Sequence, residues 1–310
     1  MPAPFTVQLC GFREGRPNTS DKNDNQSVEL GHALFRRLGV EEDAPAPDDV
    51  GGLMERLIVD DLRARRPDLQ ISRSLSASRF AQYEHLAAIA AARSRRGAGE
   101  AADPVTLIDE VVESLGSDPG NGWLVRRVQL MRDQLLTTSG LMNDLVENLP
   151  SESMLKMDIV ISETAPPAEL AIALSSKWTL RTDRAQDCIS QGNKLVSLRR
   201  GRMPHFAAIT MEPRPAMLRL LADGSGSIDC VYHLDLPALA DAIEELARSR
   251  PKKAAGSWSP GATFDRLVRQ RRLRDYDDLV REVGRVPRSL GVDATVIGQA
   301  HLEFPDAPTA

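Results

Sequence analysis

Asp158 and Lys177 are the residues whose types and surroundings could first carry chemistry. Asp158 lies in the otherwise apolar stretch 157–161, where a buried carboxylate is costly unless it binds a cation or accepts hydrogen bonds. The next apolar run ends in Ser175, Ser176 and Lys177, and the two-residue period of a strand puts Ser175 and Lys177 on one face. A carboxylate that holds a divalent cation, beside a lysine that stabilises a phosphate, suits hydrolysis of a phosphodiester. Taken alone, either feature also occurs in strands for structural reasons.

A local excess of basic residues follows Lys177. Residues 177–202 contain seven Lys and Arg side chains against two Asp, an excess of five, whereas the whole chain has a formal net charge of −5. A generic nucleic-acid binder carries an overall basic excess, so the total charge argues against generic binding while the local cluster predicts one positive surface. A solvated helix face is the structural alternative for such a charge run.

Length and composition limit the class of protein. The 310 residues suffice for one large domain or two, and 42% of them are hydrophobic, without a continuous apolar stretch long enough to span a membrane. The N-terminal segment lacks the hydrophobic region of a signal peptide, and the three cysteines are too few and too scattered for a disulfide framework or a zinc site. We therefore expect a soluble, cytoplasmic protein with no membrane association.

The hydrophobic pattern predicts the elements that must position these residues. The first half is predicted to be an irregular arm over residues 1–26 followed mainly by helix, at 27–38, 51–66, 78–96 and within 105–149. The second half is predicted to hold four strands, at 154–162, 169–177, 205–211 and 227–235, with a helix at 183–198 between the second and third. Two more helices are predicted at 237–248 and 263–283. The pattern indicates an α/β core whose first two strands form a loosely connected hairpin.

The run over residues 177–186, Lys-Trp-Thr-Leu-Arg-Thr-Asp-Arg-Ala-Gln, resembles the NgoMIV family of type II restriction endonucleases. Similar segments occur at 201–205, 212–213 and 227–233. The resemblance implies the CCGG-core group of the PD-(D/E)-x-K nuclease superfamily, with serine in place of the second carboxylate. It implies a restriction-endonuclease-like core, in which a central mixed β-sheet is flanked by helices, with a helical N-terminal half and added C-terminal helices. Residues 1–250 would form the catalytic and DNA-binding domain, and residues 251–310 a linker, a C-terminal helix and a mobile tail packed on it.

The same resemblance implies the catalytic roles. Asp158 would be the carboxylate that bridges Mg²⁺, Ser175 its polar neighbour, and Lys177 the cation that orients the attacking water and stabilises the scissile phosphate. Glu55, on an N-terminal helix, matches a second metal-binding carboxylate of the family. An exposed helix glutamate with no role in catalysis is the alternative for Glu55.

Gln191 is the main departure from the family pattern. It stands where family members carry a further glutamate, and a neutral amide binds Mg²⁺ less well than a carboxylate does. Asp187, one helical turn earlier, could replace it in part, although its carboxylate is offset by about 5 Å. The alternative to a Mg²⁺-dependent nuclease is therefore a sequence-specific DNA-binding protein whose cleavage is weakened or lost because of Gln191.

Arg181, Asp183 and Arg184 match the residues with which the family reads DNA. An arginine fork fits guanine O6 and N7, and an aspartate accepts from the amino group of cytosine, so the resemblance implies recognition of CCGG in the major groove of double-stranded DNA. The structural alternative is that Asp183 only caps the following helix. For the outer base pairs the match is Asp21, although a loop Asp also commonly forms turns.

A family arginine for the outer base pairs falls at Met217, where Arg214 or Arg219 could take its place. A palindromic site is read most economically by a twofold dimer, and the family commonly pairs two dimers, so we expect a homodimer or homotetramer. A DNA methyltransferase is the expected functional partner, because the host must protect its own sites. A nuclease without site specificity and a protein-interaction domain are the remaining alternatives.

Overall fold

The computed structural model describes residues 2–21, 23–87, 104–116, 119–148, 155–164, 168–223, 226–249 and 259–287. A small two-stranded sheet comes first, from β1, Phe12–Arg13, and β2, Arg16–Pro17. The central six-stranded sheet has the order β3-β4-β5-β6-β7-β8. Its strands are β3 Gln70–Ser76, β4 Lys156–Ser162, β5 Leu170–Lys177, β6 His205–Thr210, β7 Cys230–His233 and β8 Leu273–Asp275.

The pairing of the six strands makes the sheet mixed. β3 with β4 and β4 with β5 are antiparallel, and the pairings from β5 through β8 are parallel. The predicted hairpin of the second half is confirmed as β4 and β5. Both strands are largely buried, which fits their nearly continuous apolar sequences. The predicted α/β fold with a central mixed sheet is confirmed.

The helices cover the sheet and supply the N-terminal half. They are α1 Thr6–Leu9, α2 Asn25–Leu38, α3 Val50–Arg65, α4 Pro104–Gly116, α5 Gly122–Asn148, α6 Thr182–Leu198, α7 Pro215–Ala222, α8 Leu236–Ser249, α9 Ser259–Arg269 and α10 Tyr276–Arg285. Helix α3 packs on β3, β4 and β5, and α7 packs on α6. In the part of the chain that the structure describes, no helix is long and apolar enough to cross a membrane.

Helix α2 shows how local sequence sets an element. The Asp24 side chain accepts hydrogen bonds from the backbone N–H groups of Gln26 and Ser27, which satisfies donors that the first helical turn leaves free. The helix ends at Gly39, whose left-handed φ of 69° is a conformation that glycine adopts at little cost. The arm before α2 is thereby fixed to the helix at Asp24.

Two of the helix predictions are wrong, and the predicted irregular arm over residues 1–26 contains α1, β1 and β2. Residues 78–86 form short 3₁₀ turns, Ala77–Arg79 and Ala81–Leu86, instead of the start of a long helix, and the rest of that predicted helix lies largely outside the described residues. The predicted helix 263–283 is divided into α9, β8 and α10. Arg271 turns the chain with a left-handed φ of 56°. Leucines spaced by six residues cannot share one face of a helix with about 3.6 residues per turn.

Strand β3 is absent from the sequence prediction. Ile71 faces the core, but the alternation that signals a strand is interrupted at Arg73, which is half-buried. Ser74 then takes a left-handed φ of 55°, and the register places it opposite Asp158 of β4. The irregular part of β3 thus lies beside Asp158.

Candidate active site and recognition segment

Asp158 and Lys177 meet at the antiparallel pairing of β4 and β5. Ile159 pairs with Leu174, which brings Asp158 opposite Ser175. Oδ2 of Asp158 accepts from Lys177 Nζ at 2.9 Å, from the Ser176 backbone N–H at 2.8 Å and from Ser175 Oγ at 3.4 Å. The predicted juxtaposition of these residues is therefore present in the structure.

Lys177 is held in its charged form. Burial by itself would lower the pKa of Lys177, but the adjacent Asp158 carboxylate outweighs that effect and raises it above the ordinary lysine value. A lysine in this state donates hydrogen bonds and supplies positive charge, and it does not act as a base at neutral pH. About a quarter of each side chain is exposed, 24% for Lys177 and 26% for Asp158, so a ligand can reach the pair.

Glu55 of α3 completes a group of two carboxylates and two cations. Its Oε2 lies 3.2 Å from Arg73 Nε of β3. Burial raises the pKa of Glu55, the negative charge of Asp158 raises it further, and the charges of Arg73 and Lys177 oppose the rise. The alternative that Glu55 is an exposed helix glutamate is wrong, because only 18% of its side chain is exposed and it lies within electrostatic range of Asp158.

Gln191 and Asp187 approach the same region from α6. Gln191 Nε2 donates to the Lys156 carbonyl at 2.6 Å, two residues before Asp158 on β4. The Gln191 Oε1 is buried and has no hydrogen-bond partner among the described residues. Asp187 is exposed, and its charge contributes to the raised pKa of Lys177.

Sequence reasoning missed two neighbours of this group. Arg73 interrupts the apolar alternation of β3, which is the one signal that could have marked it. Cys188 of α6 is buried and donates from Sγ to Ser175 Oγ at 3.3 Å, so it packs behind the catalytic candidate Ser175. Its position three residues before Gln191, on the same helix face, was the available signal.

The donor chemistry can be compared with that of a divalent-metal site. Asp158 and Glu55 supply carboxylate oxygens, and Gln191 Oε1 is an amide oxygen without a hydrogen-bond partner in the described structure. Such hard oxygens suit Mg²⁺. Across the described residues, no group of three or more His, Cys, Asp or Glu side chains could hold a metal ion. The donor types present, two carboxylates and one amide oxygen, are therefore ones that Mg²⁺ accepts.

The segment after Lys177 presents its polar side chains to solvent. Arg181, Asp183 and Arg184 are exposed at the start of α6. Arg181 occupies the N-cap position with an extended backbone, and no side chain caps the helix, so the structural alternative that Asp183 only caps it is wrong. Within the described structure Arg181 and Asp183 form no side-chain hydrogen bond or ion pair. Arg184 bonds only weakly to Thr179, at 3.3 Å and 3.4 Å.

The N-terminal arm lies against the same segment. The Trp178 indole N–H donates to the Asn18 carbonyl at 3.0 Å. Asp21 Oδ1 accepts from the Asn23 backbone N–H at 3.1 Å, a turn contact, and its Oδ2 lies 3.7 Å from the Arg214 guanidinium. Asp21 therefore has the turn role that the sequence left open, and it lies near the segment that follows Lys177.

The candidates for the family's outer arginine differ in their surroundings. Arg214 is buried in ion pairs and hydrogen bonds with Glu212, Asp24 and the Leu180 carbonyl. Arg219 is exposed on α7 and borders a surface pocket that Thr182 of α6 also lines. Of the two, only Arg219 has an exposed side chain.

This fold and site define a restriction-endonuclease-like protein, with a mixed sheet that places an aspartate and a lysine together on neighbouring strands. Residues 18–283 match the family model described as the NgoMIV restriction enzyme. The chain belongs to that family, as the resemblance predicted. It is 30% identical over 209 residues to the type II restriction enzyme NgoMIV of Neisseria gonorrhoeae. The aligned region covers 66% of this chain and 62% of that relative. The chain thus matches somewhat less than two thirds of the relative's length.

Proposed function

We propose that the protein is a type II restriction endonuclease that hydrolyses double-stranded DNA at a palindromic site with a CCGG core. One observation carries the proposal. Lys177, which forms a 2.9 Å ion pair with Asp158, lies four residues before Arg181, the start of the exposed segment that also holds Asp183 and Arg184. Lys177 and the proposed base-reading residues are thus attached to one short stretch of chain, and Asp158 lies on the neighbouring strand.

Asp158 and Glu55 would hold the metal ion, with Gln191 Oε1 as a neutral oxygen donor. A bound Mg²⁺ would lower the pKa of a coordinated water and offset the negative charge that develops on the phosphate. Lys177, kept protonated beside Asp158, can donate from Nζ to a phosphate oxygen or to the attacking water. Arg73 opposes the rise in the pKa of Glu55 that burial and the charge of Asp158 cause. The Ser176 backbone N–H orients Asp158 with a hydrogen bond of 2.8 Å, and the Ser175 hydroxyl adds a weaker one at 3.4 Å.

Base recognition would use the exposed side chains at the start of α6. Arg181 and Arg184 fit guanine O6 and N7, and Asp183 fits the amino group of cytosine. Their freedom from strong intramolecular partners supports this role, because these groups need not break bonds to bind a base. Asp21 is proposed for an outer cytosine because it lies on the arm that contacts Trp178.

A palindromic site calls for a second copy of the chain, so we propose a homodimer or homotetramer. The α4 and α5 hairpin presents apolar side chains that a partner copy could cover, since large exposed apolar patches usually mark interfaces. The most exposed of them are Trp123 at 68%, Leu141 at 65% and Leu130 at 64%. A DNA methyltransferase of the same site specificity would protect the host.

The test uses supercoiled plasmids that carry CCGG in every combination of outer base pairs, incubated with Mg²⁺ and separately with Ca²⁺. Discrete fragments with identical ends, absent for Lys177→Met, are expected. A smear would indicate a nuclease without site specificity. No product from any plasmid and no binding would refute the proposal.

A second candidate is a DNA-binding protein that keeps recognition without cleavage. Gln191 favours it, because its amide replaces a carboxylate at the site and its Nε2 is bonded to the Lys156 carbonyl. Specific gel shifts in Ca²⁺ with no product in Mg²⁺ would select this candidate.

A further inference from the structure

The backbone of Leu180 is held on both sides by one buried ion pair. Its N–H donates to Glu212 Oε2 at 2.7 Å, and its carbonyl accepts from Arg214 Nη2 at 2.7 Å. Leu180 directly precedes Arg181, the first residue of the exposed recognition segment, which we define by the proposed base-reading residues Arg181, Asp183 and Arg184. The backbone position from which that segment starts is therefore set by Glu212 and Arg214.

This ion pair is more buried than stability alone would favour. Glu212 is 0% exposed and the Arg214 side chain 9%, with Glu212 Oε1 and Arg214 Nε 2.6 Å apart. Removing two charges from water costs about as much as their attraction returns, and apolar residues of similar volume often serve stability as well. The planar arginine fork offers geometry instead, because it donates to several acceptors at fixed angles.

The same arginine also reaches the N-terminal arm. Arg214 Nη1 lies 3.3 Å from Asp24 Oδ2 and 3.7 Å from Asp21 Oδ2. Asp24 caps α2, so the arm cannot shift at this point without loss of the cap. One guanidinium thus connects Leu180, Glu212 and the arm, and none of its three nitrogens is left without a protein partner.

We infer that Glu212 and Arg214 are positioning residues for sequence discrimination, because they fix Leu180, and with it the start of the recognition segment, relative to the N-terminal arm. Because each Arg214 nitrogen already has a protein partner, we assign Arg214 to positioning and leave Arg219 as the candidate for the family's outer arginine. The inference rests on the proposed function, since it assigns these residues to the reading of DNA.

The test is selection from a duplex library randomised over ten base pairs, bound in Ca²⁺ so that cleavage is not needed. The wild type defines the preferred site. For Arg214→Met we expect the enrichment of the preferred base over the other bases at the central base pairs to fall at least tenfold. The affinity for a duplex lacking the site should stay within about twofold of the wild-type value. Arg214→Lys keeps the positive charge without the planar guanidinium, and its base preference should lie between those of the wild type and Arg214→Met.

Arg66→Met is the matched control. Arg66 is similarly buried, at 12% side-chain exposure, pairs with Asp68 at 2.8 Å and donates to the Val283 and Val286 carbonyls, away from the recognition segment. It should leave the selected site unchanged. If Arg214→Met does not fold, the double variant Glu212→Gln with Arg214→Met replaces it, because it leaves no unpaired buried charge and keeps an oxygen for the Leu180 N–H.

The outcomes separate this inference from the proposed function. A wild type that selects a site while folded Arg214→Met, or the double variant, selects it equally sharply overturns the positioning role alone. Loss of selectivity in Arg66→Met as well would also overturn it, since any buried arginine would then suffice. A wild type that selects no sequence refutes the proposed recognition and this role together.

Discussion

Replacing Arg73 with methionine removes the positive charge that opposes protonation of Glu55. Unit charges 3.2 Å apart, the distance from Arg73 Nε to Glu55 Oε2, interact by about 5 kcal/mol at an effective dielectric constant of about 20. Because 34% of the Arg73 side chain is exposed, solvent screening reduces this to roughly 1 to 2 kcal/mol. That energy corresponds to about a five- to thirty-fold change in an equilibrium constant.

The direction follows from the pKa of Glu55, which burial and Asp158 already raise and Arg73 opposes. Without Arg73 the carboxyl protonates at higher pH, and a metal ligand must be deprotonated. The acid limb of the pH profile should therefore move to higher pH. When the pKa of a carboxyl is higher in the folded than in the unfolded protein, the free energy of unfolding falls as pH rises between the two values. Arg73→Met raises the folded pKa of Glu55 further, so the variant should be less stable than the wild type near neutral pH but not in acid.

The assay measures Mn²⁺ binding by calorimetry and single-turnover cleavage across about pH 5 to 8, where the acid limb is expected. Arg73→Lys should retain most of the wild-type profile because it retains the charge. Arg65→Met is the control, since Arg65 pairs with Asp61 on the same helix at 2.9 Å without contacting Glu55. An Arg73→Met profile that superimposes on the wild type in both measurements would refute the reasoning.

Gln191→Glu should tighten Mn²⁺ binding and raise the cleavage rate about tenfold or more, because it adds a charged ligand, although it loses the bond to a backbone carbonyl. Gln191→Ala is the control, and an unchanged cleavage rate for Gln191→Glu would show that the glutamine is not the missing ligand. Lys177→Met should abolish cleavage and lower the free energy of unfolding by about 1 kcal/mol. Because the pKa of Lys177 is raised in the folded protein, the extra stability of the wild type over the variant should be fully present below the ordinary lysine pKa. It should disappear as pH rises through the raised pKa of Lys177, which urea denaturation at several pH values tests. Arg181→Ala should reduce discrimination at one base pair by about 1 to 3 kcal/mol in binding assays, and uniform weakening at all sequences would contradict base reading. Trp123→Glu with Leu130→Glu should shift the protein toward monomer in sedimentation, whereas an unchanged mass would exclude this face as the interface.

The sequence by itself determined the central part of the fold and the chemistry that it could support. The apolar runs of β4 and β5 are buried on both faces, so local hydrophobicity predicts them without knowledge of their neighbours. Strand alternation then predicts that Ser175 and Lys177 share a face, and a hairpin brings that face to Asp158. The residue types after Lys177 carried the family resemblance.

The tertiary structure decided what depends on the path of the chain between distant residues. Arg73 interrupts the apolar alternation by which a strand is recognised. A charged residue stands at this position of β3 because it pairs with Glu55 on α3. The charged C-terminal region has a helical composition, but burial of Leu273 at the edge of the sheet divides it into two helices. The family resemblance marked residues 212–213 and Arg214, but nothing local predicted their contacts with the backbone of Leu180, more than thirty residues away, and with the arm near residue 24. Periodicity reports which face of an element is buried, whereas the partner of a buried charge is fixed only when the whole chain has folded.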